Sequence, residues 1–180
     1  MKITAVILHY KIDENDDARL FDTIKSLDVD EIIIADEKTD HVTKKINKAL
    51  KQATGDYVIV CGNDNPVIEG STRDLPVKGT VTTAQLENFP EALIMTMTCF
   101  PRNILVAINY YDEDIMCTAS DEDILKRLNI LKIPCKVNNK VVVKHGVGGR
   151  TTERIPTFAG TRKLDISYYN NKYENLSNNS

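Results

Sequence analysis

The residues of this 180-residue chain best suited to chemistry gather in three places. The first is Gly62-Asn63-Asp64-Asn65, which halts the apolar run from Tyr57 to Cys61. The second is the acidic triplet Asp121-Glu122-Asp123 behind Ser120, and the third is His145-Gly146-Val147-Gly148-Gly149-Arg150 after the run VVVK. Ligands of open α/β sheets bind outside the carboxyl ends of strands, so Asp64 is a candidate for holding a metal ion and a phosphorylated ligand. A plain turn capped by Asx side chains fits the same four residues. The acidic triplet suits the first turn of a helix, where the dipole favours negative charge, with Ser120 as its N-cap.

The elements that must position these residues follow from hydrophobic patterning. Ile3 to Tyr10 reads as a first strand, and Ile32 to Ala35 as a second, buried one. Between them Leu20, Phe21, Ile24 and Leu27 recur at helical spacing from Ala18 to Ser26. A second helix spans about 42 to 53, with Val42, Ile46, Ala49, Leu50 and Ala53 on one face and Gly55 as its stop. Tyr57 to Cys61 is then a third strand. Strand, helix, strand, helix, strand argues for βαβ units and a parallel sheet. Beyond it, Val67 to Asn88 is mixed, Leu93 to Cys99 is a strand candidate, and Asn103 to Asn109 a short helix. Tyr110 to Ala119 is a polar loop, Asp121 to about Leu131 a helix, and Lys136 to Lys144 a strand. One domain over residues 1–172 is expected, with an Asn/Ser-rich, frayed tail over 173–180.

Composition narrows the class. At 42% hydrophobic and 27% charged residues, the chain is that of an ordinary soluble protein. No apolar run approaches eighteen residues, and the N-terminus lacks a signal-peptide pattern. The four cysteines stand alone without CxxC spacing, which reads as reduced thiols and a cytoplasmic protein. The net charge of −3 hides an asymmetry: Lys126 to Lys172 carries eleven Lys/Arg against two acids. A basic final third suits phosphates or an anionic acceptor. No GxGxxG follows the first strand and no GxxxxGK[ST] occurs, so dinucleotide and P-loop sites lack support.

The order of the motifs resembles the family 2 glycosyltransferases, enzymes of the nucleotide-diphospho-sugar transferase (GT-A) fold. ITAVILHY is similar to that family's first strand, and EIIIADEKTD to its second strand and acidic loop. INKALKQATGDYVIVCGNDN resembles its helix, Gly-Asp turn and strand ending in the DxD-type metal motif. SDEDILKRL is similar to its acidic motif at the head of a helix, and VVVKHGVGGRTT to its late strand, ligand histidine and Gly-rich loop. YYNNKY looks like a common closing segment.

The resemblance implies an α/β, single GT-A-like Rossmann-type domain with a central, mostly parallel sheet flanked by helices. It implies an inverting transfer of sugar from a nucleotide-diphosphate sugar, a UDP-sugar first among them, with Mn2+ or Mg2+ to neutralise the diphosphate. Asp64 and His145 are then the expected metal ligands. Asp121 is the expected base, with Glu122 and Asp123 as adjacent alternatives. His9, Tyr10 and Asp36 are expected around the nucleoside, with Glu37 or Asp40 as substitutes for Asp36. Asn63 or Asn65 is expected to add a weaker oxygen ligand, and Arg150, Thr151 and Thr152 to close over the diphosphate. The family's first DxD acid falls on Gly62 here, which favours the rival reading of a sugar-nucleotide-binding protein without transfer. A nucleotidyltransferase of related fold ranks lowest, because HYKIDEND holds no glycine. The acceptor is unspecified; an anionic glycan or modified nucleic acid fits the basic final third.

Overall fold

The computed structural model describes residues 1–36, 41–90, 96–146 and 156–177. Its strands are β1 (Ile3–Leu8), β2 (Glu31–Ala35), β3 (Tyr57–Gly62), β4 (Val67–Glu69), β5 (Val81–Leu86), β6 (Met97–Pro101) and β7 (Cys135–Val143). Its helices are α1 (Asp16–Ser26), α2 (Val42–Leu50), α3 (Arg102–Ala107), α4 (Ser120–Ile130) and α5 (Pro156–Ser177). All seven strands join one sheet in the order β2-β1-β3-β6-β5-β7-β4.

The amino-terminal half folds as its pattern dictates. Ile3 to Ile7 is apolar apart from Thr4, and all five residues have no exposure, as a strand covered on both faces requires. β1 runs parallel to β2 on one side and to β3 on the other. Val6, Val58 and Val60 face α2, where Ile46, Ala49 and Leu50 complete a core with Phe100, Ile104, Ile124 and Leu128. Ile3, Ile7 and Ile59 face α1 through Leu20, Ile24 and Leu27. Gly55 lets the chain turn into β3 against β1: a Cβ there would lie 2.7 Å from the Thr4 nitrogen.

The α/β expectation holds, and the sheet is mixed. β3–β6, β5–β6 and β4–β7 are antiparallel, while β5–β7 is parallel. Several expected details are corrected. β2 is an edge strand with Ile32 and Ile34 exposed, because they share the face opposite Ile33 and Ala35 and no described element covers it. Helix α2 ends at Leu50, before Gly55. β6 starts at Met97, and residues 91–95 lie outside the described residues. Ser120 is the first residue of α4 and does not cap it; Ala119, in the left-handed region at φ 70°, precedes it. Regular structure does not stop at Tyr173, since α5 continues to Ser177.

Candidate functional site

β1 is followed in space by β2 on one side and β3 on the other, so the sheet order reverses between β1 and β3. A crevice opens at the carboxyl ends of such a pair, where the two connections leave in opposite directions. His9 and Tyr10 leave β1 here, and Asn63, Asp64 and Asn65 leave β3. The Asn63 amide donates to the Leu8 carbonyl (3.0 Å), which keeps the two exits in line.

Asp64 is buried, 5% exposed. Its Oδ1 accepts from the Asn65 side-chain amide at 3.2 Å, whereas its Oδ2 is enclosed without a hydrogen-bond partner among the described residues. A buried carboxylate oxygen left this way is costly unless a cation or donor completes it. The same Asn65 amide lies 3.1 Å from Nδ1 of His145, an exposed residue just past β7. One amide therefore gathers the two expected metal ligands. Asn65 Oδ1 accepts the Gly62 amide proton at 2.7 Å, so that oxygen is engaged in folding the turn. This explains the glycine in the motif. A Cβ at position 62 would meet Asp64 Oδ1 at 2.8 Å and Asn65 Oδ1 at 2.9 Å, so a second acid there would displace both side chains.

One carboxylate oxygen and one imidazole make too few donors for an all-protein cage, and no cluster of three or more His, Cys, Asp or Glu suited to a metal occurs among the described residues. They do fit a hard or borderline cation whose other positions are filled by phosphate oxygens and water, the usual arrangement at nucleotide sites.

The other expected residues are placed as follows. His9 is buried; its Nε2 faces Asp17 at 3.3 Å, and its Nδ1 has no hydrogen-bond partner among the described residues. Tyr10 is buried beside Val42 and Cys117, with the Lys45 ammonium 4.0 Å above its ring. Asn63 is buried, its amide nitrogen 3.4 Å from the Asp16 carbonyl. Asp36 is exposed at the end of β2 and lines a small cleft of about 120 Å³ with Lys45, Lys48 and Gln52. Glu37, Asp40, Arg150, Thr151 and Thr152 lie outside the described residues.

Lys45 is the residue that sequence reasoning missed. It is 3% exposed, and its Nζ donates to the His9 carbonyl at 2.7 Å. Its signal was a lysine on the helix face that also carries Val42, Ile46 and Ala49, a position where solvation is denied.

The acidic triplet separates into distinct roles. Asp123 is fully buried and accepts from Arg127 Nε (2.7 Å), Lys172 Nζ (2.6 Å) and Tyr173 Oη (2.7 Å). It is a structural tie between α4 and α5. Glu122 is exposed. Asp121 is half-buried, and its carboxyl is pushed up to about 7 by burial and then by the Glu122 charge. Burial outweighs the helix dipole, which acts in the opposite direction. Burial raises the Cys117 thiol and the Asp121 charge adds to it; Cys117 itself packs against Tyr10 and Val42.

No protein-family model matches the chain, and no curated protein matches it by sequence. Solved structures do match. The mannosyltransferase PcManGT from Pyrobaculum calidifontis, in complex with GDP-Man and Mn2+, aligns with a TM-score of 0.58 at 13% identity, over 81% of this chain and 57% of that one. The chain has the GT-A fold. A mutant of Drosophila beta1,4-galactosyltransferase 7 in complex with manganese, UDP-Gal and xylobiose gives 0.61 at 10% identity, over 78% of this chain and 70% of that one. S. aureus TarS gives 0.58 at 14% identity, over 81% of this chain and 37% of that one. This GT-A chain thus spans little more than half the length of the first of these relatives and a smaller share of TarS. No helix among the described residues is long and apolar enough to cross a membrane.

Proposed function

We propose that the chain is a glycosyltransferase that moves a sugar from a nucleotide-diphosphate sugar to an acceptor hydroxyl, with inversion and with a divalent cation. The observation that carries this reading is the buried Asp64 oxygen without a partner, at the switch point of a GT-A fold. The neighbouring folds in complex with GDP-Man, UDP-Gal or UDP support the substrate class. A UDP-sugar is the donor to try first.

Asp64 and His145 would hold the cation, and the imidazole suits manganese as well as magnesium. When bound, the cation neutralises the diphosphate and makes it a better leaving group. His9, Tyr10 and Asp36 would serve the nucleoside, Asn63 would add a weaker oxygen to the cation, and Arg150 and Thr151 would serve the diphosphate. Asp121 takes the acceptor's hydroxyl proton as that oxygen attacks the anomeric carbon. The bond from the anomeric carbon to the diphosphate oxygen breaks, and the nucleoside diphosphate leaves with the electron pair. A carboxyl held near 7 is a strong enough base for this at neutral pH. The acceptor is an anionic glycan or a nucleic acid, for which the basic final third supplies the charge.

Calorimetric titration with UDP, in manganese and then in chelator, tests the site. Binding that needs manganese and is lost in Asp64→Ala and His145→Ala is expected. Equal binding in all conditions would remove the metal site. Gly62 favours a second reading, binding without transfer, because a second acid there would have to displace the Asp64 and Asn65 side chains. Manganese-dependent UDP binding with no sugar release from any UDP-sugar would decide for it.

A further inference from the structure

A cavity of about 390 Å³ has walls that do not include Asp64. Helix α2 starts at the carboxyl end of β2 and descends to the amino end of β3. Its last turn, at Asn47 and Lys51, forms one wall of the cavity. The turn after α3, Ile108 to Glu113, forms a second wall, and Arg127 of α4 and Lys172 of α5 close it. The cavity therefore lies one to two helical turns, about 8–14 Å, beyond the crevice end of α2.

Its floor is held in a strained shape. Asn109 and Tyr110 both sit in the left-handed region, at φ 56° and 59°. Asn tolerates this; a bulky Tyr seldom adopts it. Arg127 Nη1 donates to the Ile108 and Tyr110 carbonyls and pins the turn. Strain of this kind is kept where a site needs its side chains presented.

The wall chemistry selects the ligand. Each cation already faces an acid: Lys51 and Glu113 (3.8 Å), Arg127 and Asp123 (2.5 Å), Lys172 and Asp112 (2.6 Å). A phosphate would find no uncommitted charge there and would meet two carboxylates. The Asn109 side chain is exposed at the wall, and the Lys51 ammonium lies 5.9 Å from the centre of the Tyr110 ring. An aromatic ring, an amide, a carboxylate and an ammonium around one small polar cavity are the donor and acceptor set for hydroxyl groups. The volume is at the small end of ligand pockets, which run to roughly 300–1,000 Å³.

We propose that this cavity is a carbohydrate-binding site for one or two neutral sugar units, distinct from the nucleotide crevice and independent of any metal. The binding stands whether or not the chain transfers sugar. Its test uses the full chain in chelator without nucleotide, titrated with maltose, cellobiose and lactose and followed by NMR, with sodium phosphate as the control. At least one disaccharide binds, and the resonances of residues 108–113 shift. Tyr110→Phe and Glu113→Gln, which keep the shape of the wall, weaken binding about three- to tenfold, the worth of one hydrogen bond, with unchanged melting temperature. Asp64→Ala leaves sugar binding unchanged. The proposal is overturned if none of the three sugars shifts residues 108–113. It is equally overturned if phosphate alone does so, or if binding follows Asp64 instead of Tyr110 and Glu113.

Discussion

Replacing Asp121 by Asn should make the protein more stable and stop it working. The Asp121 carboxyl lies at about 7 in the folded chain against an ordinary 3.8. The folded state therefore holds this proton more tightly than the unfolded one. Stability from that proton is complete below pH ~4 and is lost as pH rises through ~7. At about 1.4 kcal/mol per pH unit, ionised Asp121 costs on the order of 4 kcal/mol above pH ~7 as an upper figure, but only about 1.5 kcal/mol at pH 5. The neutral amide of the Asn variant carries no such cost. Urea unfolding at pH 5 and pH 8 should therefore show the variant gaining about 2–3 kcal/mol on the parent between the two pH values. In parallel, transfer should fall about 100- to 10,000-fold, the usual worth of a general base, with UDP binding retained. In the parent, kcat/KM should rise about tenfold per pH unit up to pH ~7 and then level. A stability difference that ignores pH would refute the burial argument. Undiminished transfer by the Asn variant would remove Asp121 as the base.

Other outcomes follow from the geometry. Gly62→Asp, which restores an acid to the motif, should lose about 1–3 kcal/mol in urea unfolding because its Cβ meets Asp64 and Asn65, and should not tighten manganese in calorimetry. Asp123→Ala leaves Arg127 and Lys172 without their buried acid and should cost about 3–5 kcal/mol by the same unfolding assay. Asp165, 3% exposed, accepts the amides of Met116 and Cys117 at 2.9 Å; Asp165→Ala should cost about 1–3 kcal/mol and speed hydrogen exchange at those two amides.

The part of the fold that sequence made legible is the part with strong local periodicity. β1, α1, α2 and β3 each carry an apolar pattern that needs only near neighbours to be satisfied. Isoleucines 32 to 34 show where that limit lies: an apolar triplet announces a strand without saying whether a neighbour covers its outer side, and here Ile32 and Ile34 remain exposed. β6 was legible in part, as the Met97 to Cys99 end of an apolar run, whereas β4 and β5 pair with β7 far along the chain and no local pattern marks them. Asp64 was legible because a polar residue ended a buried strand. The raised carboxyl of Asp121 was not, since it depends on burial by elements far away in sequence. The α3–α4 cavity was invisible for the same reason: its walls come from α2, α4, α5 and a turn whose left-handed residues carry no glycine.

Helix α5 has a consequence for the order in which the chain can mature. Asp165 fastens the Met116–Cys117 backbone, Tyr168 and Lys172 bond Asp112, and Lys172 and Tyr173 bond Asp123. These partners sit 48 to 60 residues upstream of the groups that hold them. During synthesis the β1–β3 layer is complete long before residue 165 emerges, whereas the stretch from Asp112 to Asp123 must wait. A ribosome-bound chain thus acquires the Asp64 end of its sheet early and its proposed base late, so the proposed site is complete only once Tyr173 has emerged.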